Sequence, residues 1–318
     1  MEILTGYGTV TVPDGAVVAT IGNFDGVHIG HQALIAEVRA EADRRGLPAA
    51  VVTFDPHPLR VLAPERAPKM ILTRRQKIEI LASLGADIIV FIPFDREIAA
   101  VPAEEFVRRF LTGRLHVACL LVGEDFRFGR GREGDIALLR RLGPECGFEV
   151  KAAPLTARNG TRVSASQVRD SIAAGDMERA AELMGRSYVL VGEVVAGQGR
   201  GRKLAIPTAN LNPENELLPR EGVYVTETLV ELEWHPSVTN IGSRPTFAGA
   251  GFAIETHLPG FSGDLYHERL RVRFLTRIRD ERRFETPEAL RAQIADDLTR
   301  MRAWFEAPPR SGGPGGRA

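Results

Sequence analysis

The chain has 318 residues, 44% hydrophobic and 26% charged, an ordinary globular composition that excludes a wholly disordered protein. Its 41 basic residues balance 41 acidic ones, and the balance holds on each side of Arg186 (24 against 24 before, 17 against 17 after), so neither half carries a basic nucleic-acid footprint. No apolar run approaches the ~18 residues of a membrane span, no secretory signal opens the chain, and Cys119 and Cys146 give neither a disulfide framework nor a metal spacing, so a cytoplasmic protein is expected.

Up to about residue 186, strand and helix patterns alternate. Residues 15–22 form an apolar strand. Residues 32–45 are amphipathic, with Leu34, Ile35, Val38 and Ala42 on one face and Gly46 as the stop. Strands follow at 49–54, 86–92, 117–122 and 148–153. Helices fall at 73–84, from Pro102 through Phe110, at 135–142, 165–174 and 177–184. Cys119, inside the fourth strand, reads as a small buried thiol. Near-continuous apolar strands separated by helices imply a parallel sheet covered on both faces. Ligands of such sheets bind beyond the carboxyl ends of the strands.

The pattern then changes. From Tyr188 to Ile278 the text is strand-like, with Gly and Pro punctuation, and reads as a small antiparallel barrel. One helix follows, capped by Thr286 with Pro287 at its first position and a stripe of Leu290, Ile294, Leu298 and Met301. The Pro/Gly-rich residues 308–318 are expected to be disordered. The expected division is 1–186, 187–307 and the tail.

Two constellations carry chemistry. The first strand runs into Gly22-Asn23-Phe24-Asp25-Gly26-Val27-His28-Ile29-Gly30-His31 and then a helix. Gly22, Gly26 and Gly30 let backbone approach a ligand closely. The helix start offers free N–H groups to phosphate, and the imidazoles can donate to charge developing on phosphoryl oxygens. An isolated HxGH string is as often a pair of capping histidines. Here a partner segment, residues 162–169, opens another helix, with hydroxyls and Arg169 to meet phosphates.

The second constellation lies in the barrel half. Residues 197–203 form a glycine loop with three cations, able to close over phosphates. Thr208 and Asn210 are two apart on an extended segment and share a face. Their hydroxyl and amide oxygens suit Mg²⁺ held with phosphates. Glu255 sits downstream in a strand, where a lone glutamate is ordinarily solvated.

Together these segments resemble the bacterial bifunctional riboflavin kinase/FMN adenylyltransferases. TIGNFDGVHIGH (20–31), TFDPHP (53–58), ILTRRQKIEIL (71–81), VGEDFRFGRGREGD (122–135) and RVSASQVR (162–169) match the adenylyltransferase module. The glycine loop with IPTAN (206–210), GVY (222–224), NIGSRPTF (240–247), Glu255 and DLY (264–266) match the riboflavin kinase module. The resemblance runs from about Ala16 to Trp304. It implies a Rossmann-like nucleotidyltransferase domain followed by a β-barrel kinase domain with a C-terminal helix.

It further implies roles. His28, His31 and Arg169 act on the ATP of the first domain, with Gly22, Phe24, Gly26, Ser164 and Ser166 binding it. Asp55, Pro56, Pro58 and Phe128 hold the flavin. Gly197, Gly201, Arg202, Lys203 and Pro207 bind the ATP of the kinase, Thr208 and Asn210 hold Mg²⁺, and Glu255 is the general base on the ribityl 5′-hydroxyl. The partners are riboflavin, FMN and ATP, with FAD as product; neither nucleic acid nor membrane is expected. The sequence departs from the family pattern at Ala165, Ser166, Ala205 and His267, and Asp125 stands where some members carry Asn.

Two other readings fit parts of the text. His28-Ile29-Gly30-His31 is also the HIGH string of class I aminoacyl-tRNA synthetases, but with four lysines and no basic half the chain lacks their second signature and tRNA surface. A flavin sensor that lost catalysis would not need His28, His31, Arg169, Thr208, Asn210 and Glu255 together.

Overall fold

The computed structural model describes residues 1–10, 12, 15–153, 157–158, 161–196, 208–246 and 249–308. It resolves into two compact units, Met1–Ser164 and Ala165–Ala318.

The first unit is built on strands β1 (Glu2–Thr5), β2 (Val17–Ile21), β3 (Ala49–Asp55), β4 (Ile88–Pro93), β5 (Val117–Gly123) and β6 (Glu149–Ala153). They pair in the order β1-β4-β3-β2-β5-β6, and every pairing is parallel. Helices α1 (Ile29–Arg45), α2 (Pro58–Leu62), α3 (Arg74–Ser83), α4 (Arg96–Ala99), α5 (Ala103–Glu105) and α6 (Ile136–Cys146) connect them. Alternate residues of β2 serve opposite faces. Val17, Ala19 and Ile21 enter the larger core with Phe106, Phe110 and Leu120. Val18 enters a smaller one with Val38, Ala42, Cys119 and Leu121. Two buried faces are why the strands read as unbroken apolar runs. Cys119 is fully buried, and burial pushes its thiol up to about 11, which makes it part of the packing.

Local signals set the helix ends. Gly46 closes α1 in the left-handed conformation. Thr73 and Gln76 form a reciprocal capping box at the start of α3. Two features depart from the periodicity. The strand β1 pairs only with β4 at the sheet edge, so its four residues carry no two-sided apolar signal. The helix expected from Pro102 is a short α-turn that continues as a π-helix over Phe106–Thr112.

Two short strands, β7 (Ala157–Arg158) and β8 (Thr161–Arg162), pair antiparallel after β6. The second unit opens with helices α7 (Ala165–Ala174) and α8 (Met177–Met184), followed by strands β9 (Tyr188–Val195), β10 (Ala209–Pro213), β11 (Gly222–Val230), β12 (Glu233–Thr246), β13 (Gly249–His257) and β14 (Arg269–Arg279). The strands close a barrel in the order β10-β13-β12-β11-β14-β9, antiparallel throughout. Of the pair α7–α8, which the sequence groups with the first 186 residues, α8 packs on β9 and β14 and α7 packs on α8. Gly175 at the joint has φ +81°, and a Cβ there would meet Tyr224 Oη at 2.9 Å.

Inside the barrel, five buried hydroxyls form a closed ring: Thr226, Ser237, Thr228, Thr256 and Thr239, with neighbouring oxygens 2.8–3.4 Å apart. Each satisfies its neighbour, which permits a polar interior without water. Outside, helix α9 (Pro287–Glu306) covers Val223, Val225 and Val238 with Met301 and Leu298. Thr286 and Pro287 cap it as expected. The stripe is supplemented by a charge: Asp297, 2% exposed, takes Arg279 in a bidentate pair, Nε to Oδ1 at 2.9 Å and Nη2 to Oδ2 at 2.8 Å.

Removing Arg279 leaves the buried Asp297 carboxylate without its charged partner. Arg279→Met is expected to destabilise the second unit by about 3–5 kcal/mol. Denaturant unfolding followed by fluorescence of Trp234 and Trp304 measures it.

Candidate active sites

In the first unit, β2 lies between β3 and β5, so the strand order reverses beside it. Ligands of open α/β sheets sit at that switch point, and residues 22–28 emerge there. Their backbone is unusual: φ is +46° at Phe24, +73° at Gly26 and +38° at Val27. A β-branched residue seldom occupies the left-handed region, and each such position costs on the order of 1–3 kcal/mol unless the surroundings over-determine it.

Here they do. The Asp25 carboxylate, 1% exposed, accepts the backbone N–H of Ile71 at 3.1 Å and of Leu72 at 3.4 Å. The Asn23 carbonyl accepts from Lys77 Nζ at 2.9 Å and Thr53 Oγ1 at 3.1 Å. Gln32 Nε2 donates to the Val27 carbonyl at 2.8 Å. Phe24 and Val27 are fully buried. A Cβ on Gly26 would meet Ile71 Cδ1 at 2.8 Å, and one on Gly22 would meet the Phe24 ring at 3.1 Å. Phe24 therefore reaches the site through His31, against which its ring stands edge-on at 5.0 Å.

The loop delivers His28 as the N-cap of α1. Its Nδ1 accepts the N–H of His31 at 3.3 Å, so in the neutral ring Nε2 carries the proton and is the donor. The two imidazoles stack 3.7 Å apart at 17°. His31 Nδ1 is buried with no hydrogen-bond partner among the described residues. Burial, then His28, then Lys77 hold the His31 pKa well below 6.5. His28 thus does cap the helix, and capping fixes its tautomer.

The segment after β3 lies next to this loop. His57 Nδ1 accepts the N–H of Leu59, capping α2 with Pro58 at its start. Its Nε2 lies 3.2 Å from the Asn23 amide nitrogen, with donor and acceptor set by the ring's tautomer. The Asp55–Pro56 peptide is cis. Asp55 accepts from Arg74 Nη1 at 2.8 Å, and the Arg74 guanidinium lies 4.0 Å over Phe91. Phe128 is buried, stacked under Phe126 at 5.4 Å. Phe126 is the half-buried member of the pair and packs on the same core cluster as Phe54. Ser164 ends the first unit, while Ser166 and Arg169 lie one turn apart on α7 of the second.

In the barrel, register assembles the second candidate site. Asn210 on β10 pairs with Glu255 on β13, and Glu255 pairs with Asn240 on β12. Directly opposed residues of an antiparallel sheet share a face. That face is the exterior one: Val223, opposite Asn240, packs under α9. Thr208 stands just before the start of β10, two residues ahead of Asn210. Gly197, Gly201, Arg202, Lys203, Pro207 and Ala205 lie outside the described residues.

The sequence reading did not single out Asn23, Asp25, Arg74, Lys77, Phe126 or Asn240. The textual signal is that all six lie inside the quoted motif segments, and that Lys77 is one of four lysines against 37 arginines.

Comparison with known proteins shows the family. A family model described as FAD synthetase matches residues 11–167, and one described as riboflavin kinase matches residues 184–305. The bifunctional riboflavin kinase/FMN adenylyltransferase of Escherichia coli K12 is 39% identical over 307 residues, 96% of this chain and 98% of its own. That of Pseudomonas fluorescens is 41% identical over 304 residues, 95% and 97%. A crystal structure from Streptococcus pneumoniae, described as a macrolide-efflux protein, superposes with a TM-score of 0.88 at 26% identity, covering 95% of this chain and 99% of that one. Among the described residues no helix is long and apolar enough to cross a membrane. With two family models in order along one chain and relatives aligned over nearly its full length, the chain belongs to the family of bifunctional riboflavin kinase/FMN adenylyltransferases.

Proposed function

We propose that the chain converts riboflavin to FAD in two ATP-dependent steps, with residues 187–307 carrying the first and residues 1–186 the second. The observation that carries this reading is that both candidate sites stand on one chain: stacked histidines at a helix start, and a glutamate flanked by two asparagines on a barrel face.

In the first step the ribityl 5′-hydroxyl attacks the γ-phosphorus of ATP and ADP leaves. Glu255 takes the hydroxyl proton. Thr208 and Asn210 offer hydroxyl and amide oxygens, a donor set that fits Mg²⁺, which would neutralise phosphate charge there. Gly197, Gly201, Arg202, Lys203 and Pro207 are assigned to the same nucleotide. In the second step an oxygen of the FMN phosphate attacks the α-phosphorus of ATP and pyrophosphate leaves. The nucleophile is already an anion, so no base is required. Neutral donors suffice, and the His28 Nε2–H is one. Ser164, Ser166 and Arg169 supply hydroxyls and a guanidinium to phosphate oxygens, with Gly22, Phe24 and Gly26 shaping the loop. Asp55, Pro56, Pro58 and Phe128 hold the flavin. A cytoplasmic location, with small-molecule substrates and neither nucleic acid nor membrane as partner, completes the proposal. A chromatographic time course with riboflavin and Mg-ATP tests it: FMN and then FAD are expected, and unchanged riboflavin would sink it.

Four further outcomes are expected. His31→Ala is expected to lower FAD formation by roughly 10²–10³-fold, the effect of losing one transition-state donor worth ~2.7–4 kcal/mol, while sparing FMN formation. Glu255→Gln should lower riboflavin phosphorylation by about 10²–10⁴-fold with near-normal nucleotide binding and no rescue by Mg²⁺. Asn210→Ala should instead weaken nucleotide binding, in part relieved by excess Mg²⁺; titrating Mg²⁺ and ATP against FMN production separates the two. Because burial, His28 and Lys77 all lower the His31 pKa, its ring in the free protein stays neutral at pH 7 and takes a proton only below 6.5. Histidine ring NMR across pH 4.5–8 checks this, and a His31 midpoint at or above 6.5 contradicts it.

A further inference from the structure

A lysine is buried beneath the histidine loop, and the reaction as derived makes no use of it. Lys77 stands on the first turn of α3, 5% exposed. An ammonium is costly to bury unless it is paired and hydrogen-bonded, and burial lowers the Lys77 pKa. An arginine would present a wider planar fork in place of this compact point charge. Its Nζ donates to the Asn23 carbonyl at 2.9 Å. The same oxygen accepts from Thr53 of β3 at 3.1 Å. That carbonyl shares a rigid peptide plane with the N–H of Phe24. Holding it from two elements fixes the plane from which the Phe24 φ of +46° departs, and the left-handed run through Val27 follows.

We propose that Lys77 is a positioning residue for adenylyl transfer: by holding the Asn23 carbonyl it locks the turn that sets His28 and His31 against the ATP phosphates. This rests on the assignment of those histidines to ATP. The charge of Lys77 acts on the same pair, since with burial and His28 it keeps His31 neutral. The charged groups acting on Lys77 itself are Asp25 in the loop, Asp55 at the end of β3 and Arg74 on α3.

Lys77→Met keeps the stem and removes the ammonium. In the full chain with FMN supplied, kcat for FAD formation is expected to fall at least tenfold. KM for ATP and FMN should change less than threefold, with a wild-type circular dichroism spectrum. The acid limb of kcat/KM should move to higher pH, because His31 protonates more readily without the neighbouring charge. Lys77→Arg should return that limb toward its original position while kcat stays reduced. A kcat within twofold of wild type, or a loss with the acid limb unmoved, overturns the proposal. If Lys77→Met does not fold, Thr53→Val, which removes the second donor to the same carbonyl, decides. A threefold to tenfold loss of kcat supports the proposal, and an unchanged kcat refutes it. His31→Ala measured alongside separates the two ideas. Full activity there removes the histidine assignment, whereas its loss beside an active Lys77→Met removes only the role of Lys77.

Discussion

The nucleotide-binding half depends on a reversed backbone between Gly22 and His28. A chain leaving a parallel strand and entering a helix could turn in many ways. This one turns through three left-handed residues, one of them Val27, a conformation that persists only where the surroundings hold it. The holding groups come from distant parts of the chain: backbone N–H groups of Ile71 and Leu72 on Asp25, a hydroxyl from β3 and an ammonium from α3 on Asn23. The result is a helix start whose first side chain, His28, has its Nδ1 occupied by the His31 N–H.

Two acidic residues show how environment divides roles. Asp25 is buried and accepts backbone N–H groups, so its charge is spent on shape. Glu255 is half-buried in a strand and paired in register with two amide side-chain residues. A general base must lie within hydrogen-bond reach of the proton it takes. The same residue class thus serves architecture in one unit and is assigned chemistry in the other.

The barrel separates these functions by face. Its interior is filled by aromatic rings and by the hydroxyl ring, in which each oxygen is another's partner. Its exterior is shared between α9 and the row of Asn210, Glu255 and Asn240. The Arg279–Asp297 pair pins α9 where a purely apolar stripe would leave it free to slide. Directional pairing fixes register where apolar contact does not.

Much of this was legible in the text. Apolar runs of strand length, split by helical periods, specified the parallel sheet, because strands buried on both faces must be apolar throughout. Strand text after Tyr188 specified the barrel, and Thr73, Gly46 and Thr286 marked helix ends because capping is local chemistry. His28, His31 and Glu255 were visible as motif residues. What only the tertiary structure decided is everything that depends on contact across sequence distance. Asp25 and Ile71 are 46 residues apart and Asn23 and Lys77 are 54 apart, and no periodicity links them. Glu255 is brought to Asn240 and Asn210 by strand register, which a one-residue slip would reverse. The edge strand β1 and the placement of α8 on the barrel were hidden for the same reason: a short segment's affiliation is set by what it packs on, and that partner is written elsewhere in the chain.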